Sequence, residues 1–148
     1  MKISTRVRYA VRTLLDVAEN GDEEPVSLRE VSVRQEISLL YLQQLVRPLI
    51  ANGLVRSVRG PNGGLVLLKP TSEIRLGDIF QIVDGKFSPV DCVADPKTCP
   101  RHKSCAARDI WIEVKVAVDG VLNSTTLEDL VKRQRKKGEL DSSSRPTC

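Results

Sequence analysis

Aromatic side chains are nearly absent: one Trp, two Tyr and two Phe make up 3% of the 148 residues. A core built from this chain is therefore aliphatic, and a platform of stacked rings for single-stranded nucleic acid is not available. No apolar run approaches the roughly 18 residues of a membrane-spanning helix. The N-terminal stretch MKISTRVRYAVRTLL has no separate apolar core of the signal type, so a cytoplasmic location without membrane contact is expected. Histidine occurs once, at His102. No cysteine has a catalytic base at a recognisable spacing and no phosphate loop of the P-loop kind is present, which argues against an enzyme. The length fits one domain, or a small domain with an added assembly element.

What is present is unevenly placed. Of the net charge of +4, residues 1–70 carry 10 basic against 7 acidic side chains, residues 71–123 carry 7 against 8, and residues 124–148 carry 6 against 4. A basic first part suits a polyanionic partner, although a plain solvated surface would carry the same charges. Three of the four cysteines, Cys92, Cys99 and Cys105, fall within 14 residues, and Cys148 ends the chain. In a cytosolic protein such a cluster points to a metal or redox site more than to a disulfide framework.

Periodicity divides the chain into short elements. Val7, Val11, Leu14, Leu15 and Ala18 recur at helical steps between Ser4 and Asn20. Ser27 with Glu30 forms a capping box for a second helix over 28–35, and Ser38 caps a third that runs to about Ala51 with a kink expected at Pro48. On that third helix Leu42, Leu45, Val46 and Leu49 form the apolar stripe. Two β-rich runs, 54–58 and 65–68, flank the turn Arg59-Gly60-Pro61-Asn62-Gly63-Gly64 and predict a hairpin. A further helix is expected over 76–83, then an irregular loop from Lys86 to Ser104 with Pro89, Pro96 and Pro100. A long helix from Cys105 to about Leu122 follows, with Ile110, Trp111, Val114, Val118, Val121 and Leu122 on one broad face. Thr126 caps a last helix over 127–136, and the tail from Gly138 to Cys148 is expected to be disordered. The expected division is a DNA-binding domain at 1–70, a linker helix, cysteine loop and dimerisation helices at 71–137, and the tail at 138–148.

Three helices followed by a β-hairpin is the order of a winged helix-turn-helix, a mainly α fold whose third helix enters the major groove. Tyr41, Gln43, Gln44 and Arg47 are the candidate readers on that helix, with Gln44 open to partial burial instead. Arg59 marks the tip of the wing, and Arg6 is placed to reach phosphate. The long helix after Cys105 is too apolar to stand alone in water, so a second copy of the chain is expected against it. The cysteine spacing C-x6-C-x5-C lacks the paired knuckle of a structural zinc site. Soft thiolates in a Pro-rich loop suit a labile iron–sulfur cluster, and Lys97, Arg101, Lys103 and Arg108 favour the thiolate form. The alternative is a set of free or disulfide-forming thiols. Cys148 reads as incidental.

The chain resembles the IscR–NsrR family of bacterial winged-helix iron–sulfur regulators. The pieces that carry the likeness are Arg8-Tyr9-Ala10, Ile37-Ser38-Leu39 with Tyr41-Leu42, Asn52-Gly53-Leu54-Val55, the wing turn 59–64, Leu76-Gly77-Asp78 and the three clustered cysteines. The resemblance implies a homodimeric repressor-type transcription factor on double-stranded promoter DNA, controlling genes of cluster assembly. It also implies an iron–sulfur cluster, of the 2Fe–2S rather than the 4Fe–4S kind, on Cys92, Cys99 and Cys105. Its DNA-facing parts fall on Ser4, Thr5 and Arg6, on Ser38, Tyr41 and Gln43, and on the wing residues Ser57, Val58, Arg59, Gly60 and Pro61. Two positions depart from the pattern. The His that some members place three residues after the third cysteine is Arg108 here, and the acidic residue that others place early in the first helix is matched by Arg8. The fourth ligand is therefore open: His102 is the first candidate, with Asp91, Asp95 and Asp109 as carboxylate alternatives. A clusterless regulator of the same fold, responding to thiol oxidation or to sulfur metabolism, is the competing expectation.

Overall fold

Serine hydroxyls open the first three helices. In the computed structural model, which describes residues 2–22 and 24–144, Ser4 Oγ accepts from the Val7 N–H (3.1 Å) at the start of α1 (Thr5–Asn20). Ser27 Oγ accepts from the Arg29 N–H (3.2 Å) at α2 (Leu28–Gln35). Ser38 Oγ accepts from the Tyr41 N–H (3.3 Å) at α3 (Leu39–Ala51). Each hydroxyl satisfies a donor that the first helical turn leaves unpaired. The expected capping box at α2 is incomplete, because Glu30 turns toward Arg34 (4.0 Å) rather than back to the cap. Pro48 lies inside α3, which is continuous, and its carbonyl takes both the Asn52 N–H (3.0 Å) and Nδ2 (2.8 Å).

Strands β1 (Val55–Val58) and β2 (Gly64–Leu67) pair antiparallel, with Val55 opposite Leu67 and Val58 opposite Gly64. Gly60 has φ +108°, a left-handed value that a side chain would strain, and the Gly63 N–H closes the turn on the Gly60 carbonyl (3.0 Å). The hairpin is tied to the α1–α2 connection. Val26 exchanges both backbone bonds with Leu65, at 3.0 and 2.8 Å.

Helix α4 (Leu76–Asp84) follows a single 3-10 turn, and its Ile79, Phe80 and Val83 are buried. The segment expected as an irregular loop contains a short helix, α5 (Asp91–Ala94), and a 3-10 turn at Pro96–Thr98. Such pieces are too short to show a period in the sequence. Helix α6 (Ala106–Ser124) takes Cys105 as its N-cap. Helix α7 (Leu127–Ser144) begins with a reciprocal cap, in which Thr126 N–H donates to Asp129 Oδ2 (2.9 Å) and Asp129 N–H donates to Thr126 Oγ1 (3.1 Å).

Residues 138–144, expected as disordered tail, continue α7. Gly138 costs a helix only about 1 kcal/mol relative to Ala, and the good helix formers around it offset that. Residues 145–148, including Cys148, lie outside the described residues.

One largely aliphatic cluster joins these elements. Val7, Ala10, Leu14 and Val17 of α1 pack with Leu42, Leu45, Val46 and Leu49 of α3, Leu65 of the wing, Ile79, Phe80 and Val83 of α4, and Leu127 of α7. The division at residue 70 suggested by the sequence therefore runs through a continuous core. Leu14, Leu42 and Leu49 are fully enclosed, and truncating any of them to Ala would cost about 2–5 kcal/mol. No helix among the described residues is long and apolar enough to cross a membrane.

Candidate functional site

The outward side of α3 carries Leu40, Gln43, Gln44 and Arg47, all exposed, opposite the buried Leu42, Leu45, Val46 and Leu49. The spacing i, i+3, i+4, i+7 puts the four on one face. Gln44, for which burial was the alternative, is therefore open to a partner. Tyr41 is half-buried and meets Tyr9 of α1 edge to face, with ring centroids 5.8 Å apart at 89°. Arg12 covers the other ring, its guanidinium carbon 5.4 Å from the Tyr9 centroid.

A polar chain continues from there. Arg12 Nε donates to Gln35 Oε1 (3.1 Å) and Nη2 to the Gln35 carbonyl, while Gln35 Nε2 donates to Asp16 Oδ2 (2.9 Å). Asp16, 2% exposed, is held in turn by Arg34 through Nη2 (2.7 Å) and Nε (3.0 Å). The hydrogen bond to Asp16 raises the affinity of the Arg34 guanidinium for its proton. Glu19, on the next turn of α1, has its carboxyl pushed up by burial and by Asp16, against the pull of Arg135. This linkage between α1, α2 and α3 carries no signal in the sequence, because Tyr9, Arg12 and Asp16 look like ordinary polar-face positions.

The remaining DNA candidates lie at two other edges. Thr5 and Arg6 are exposed at the start of α1, where Ser4 is occupied as its cap. Arg6 lies 3.9 Å from Asp84 at the end of α4, and together with Tyr41, Gln44 and Leu45 it lines a shallow hollow between α1 and α3. Ser57, Arg59, Gly60 and Pro61 are exposed on the wing, as is Arg56. Ser38 is exposed too, with its hydroxyl engaged in capping α3.

The cysteine loop presents three half-buried, unbonded thiols: Cys92 on α5, Cys99 after the 3-10 turn and Cys105 at the cap of α6. Among the described residues, no three His, Cys, Asp or Glu side chains are gathered closely enough to hold a metal ion. The donor set suits a soft cluster, but the loop as placed does not draw it to one point. His102 Nδ1 lies 2.9 Å from the Cys99 carbonyl. Asp95 is occupied by the Lys97 N–H (3.0 Å). Arg108 directs its guanidinium to the Cys92 carbonyl (3.0 Å), bracing α5 against the first turn of α6.

Helix α6 has no buried residue along its 19 positions. Val118 and Leu122 pack partly against the core, while Ile110, Trp111 and Val121 of the same broad face stay exposed, as does Val116 on the opposite side of the helix. Lys115 pairs with Asp119 along the helix.

A winged reading head with a polar, cationic edge, joined to a helix left open on one apolar side, defines a winged-helix transcriptional regulator. The chain belongs to the Rrf2 family, described as iron-dependent transcriptional regulators, which it matches over residues 3–133. It is 42% identical over 130 residues to the regulator CymR of Bacillus subtilis, covering 88% of this chain and 89% of that one. It is 41% identical over 134 residues to the regulator IscR of Serratia proteamaculans, covering 90% and 81%. The solved structure of CymR, the global cysteine regulator of B. subtilis, superposes with a TM-score of 0.77 at 40% identity, covering 90% and 98%. These relatives are named as regulators, not enzymes.

Proposed function

We propose that the chain binds double-stranded promoter DNA as a homodimer and reports iron–sulfur status through a cluster held by Cys92, Cys99 and Cys105. Its targets would be genes of cluster assembly, under repression. The observation that carries this reading is the set of three free, half-buried thiols in one loop that ends on the N-cap of α6. Three thiolates match a soft iron–sulfur centre, with 2Fe–2S as the assignment. His102 is the proposed fourth ligand, through the ring nitrogen not directed at Cys99. When bound, the cluster supplies a centre that oxidants and nitric oxide can remove. The protein's part is mechanical: Cys105 begins α6, α6 packs on α4, and α4 packs on both α1 and α3, so loop order bears on the reading head.

On the DNA side, Gln43 and Gln44 offer amides for adenine edges, and Arg47, Arg59 and Arg6 supply cations for guanine or phosphate. Thr5, Ser57, Gly60 and Pro61 form the adjoining backbone-contact surface, and Ser4, Ser38 and Tyr41 hold it in place. The apolar outer side of α6 is the proposed dimer seam.

A second reading, a clusterless regulator that responds to thiol oxidation or sulfur supply, is favoured by the separation of the three thiols and by the likeness to a cysteine regulator. Anaerobic purification distinguishes the two. Visible absorbance with iron and labile sulfide in the wild type, lost in Cys92→Ala, supports the cluster; a colourless, iron-free product sinks it. Fluorescence anisotropy with promoter DNA at two salt concentrations tests the DNA half, because phosphate contacts impose a steep salt dependence.

A further inference from the structure

We propose that Leu40 reads the C5-methyl group of a thymine in the major groove, which makes it a specificity-determining residue of α3. This inference rests on the winged-helix DNA reading above. Leu40 is 67% exposed, the most open apolar side chain on α3, and it belongs neither to the buried core nor to the partly buried shell around it. The fold gains nothing from leucine there. A single exposed leucine on an arbitrary surface needs no explanation. This one stands one turn before Gln43 and Gln44 and two turns before Arg47, on the same face and two residues past the Ser38 cap. The N-terminal end of a recognition helix is the end that meets base edges.

The chemistry on that face is complementary. A glutamine amide pairs with the N6 and N7 edge of adenine, and the thymine across that pair projects its methyl group into the same groove. Leu40 has no donor or acceptor, so a G·C pair beneath it would lose water from its edge without receiving a hydrogen bond. Leu40 together with Gln43 or Gln44 thus reads an A·T pair by two independent features, one polar and one apolar.

The operator need not be defined in advance for the test. Duplexes selected from a random library by the full-length chain define a site, and each thymine in it is then replaced by uracil, which removes only the methyl group. The wild type should lose about fourfold in affinity at one position of each half-site, the worth of one buried methyl group. Leu40→Ala should show no loss at that position on the same substitution, and its selected site should relax there. Since Leu40 is exposed, circular dichroism should find the variant folded with an unchanged melting midpoint. Indifference of the wild type to every uracil, or an undiminished uracil effect in Leu40→Ala, would overturn the assignment while leaving DNA binding intact. Failure of the wild type to enrich any duplex would instead overturn the DNA reading, and this inference with it.

Discussion

Gly64 lies so close to Val26 that any side chain on it would overlap the Val26 carbonyl and the Ser27 amide, both backbone. The wing is docked through that approach, by the paired bonds between Val26 and Leu65. Gly64→Ala should therefore push β2 away and cost about 1–3 kcal/mol, read as a fall in the urea midpoint. An unchanged midpoint would show that the loop before α2 yields freely. Asp16 presents the opposite problem, a charge that the fold has already enclosed. Arg34→Met would strand it with only neutral partners and should cost about 3 kcal/mol. Asp16→Asn should cost less, about 1–2 kcal/mol, because Arg34 keeps 37% of its side chain exposed and can return to water. Equal losses would mean that the burial of Asp16 is not what matters.

At the level of elements, caps and turns were legible in the sequence because the residue that ends or starts each element also supplies its hydrogen bond: Ser27, Ser38, Thr126 and the glycine turn of the wing all do so. The cysteine loop was not legible in the same way. A four-residue helix and a 3-10 turn have no period, and the Arg108 bond to the Cys92 carbonyl joins positions 16 residues apart. The edge-to-face pair of Tyr9 and Tyr41 was hidden for a related reason, since it depends on how α1 and α3 cross. The exposure of Leu40, by contrast, follows from its place off the stripe of Leu42, Leu45, Val46 and Leu49. The start of α7 carries its own pH dependence. Hydrogen bonds from the Thr126 backbone and then its side chain hold the Asp129 carboxyl below its ordinary value of 3.8. A depressed carboxyl stabilises the fold above that value and loses its contribution as pH falls through the lower, folded one. The gap in melting midpoint between wild type and Asp129→Ala should thus be constant near neutral pH and close in that acid window. A gap that persists at the lowest pH would place the effect elsewhere.

For the whole molecule, α4 is the part that touches both the reading head and the helix that leads to the cysteines. Its far end reaches Arg6, 3.9 Å from Asp84, at the edge proposed to meet phosphate. The proposed dimer seam is the other side of α6. Val121→Asp places a charge on a side chain already 63% exposed, so the folded protomer should survive. Sedimentation should then find a monomer, and affinity for a two-half-site duplex should fall by about a hundredfold, the advantage of joined binding sites. A dimer with unaltered affinity would move the seam off this face. The scarcity of aromatic residues also has a practical consequence. Trp111 is the only indole in the chain and lies 41% exposed, six residues past Cys105 at the start of α6. Its emission, excited beyond the tyrosine band, has no competing indole, so the protein carries a built-in optical probe at the joint between the cysteine loop and the proposed dimer helix. A blue shift with rising protein concentration would record the covering of that joint without any label.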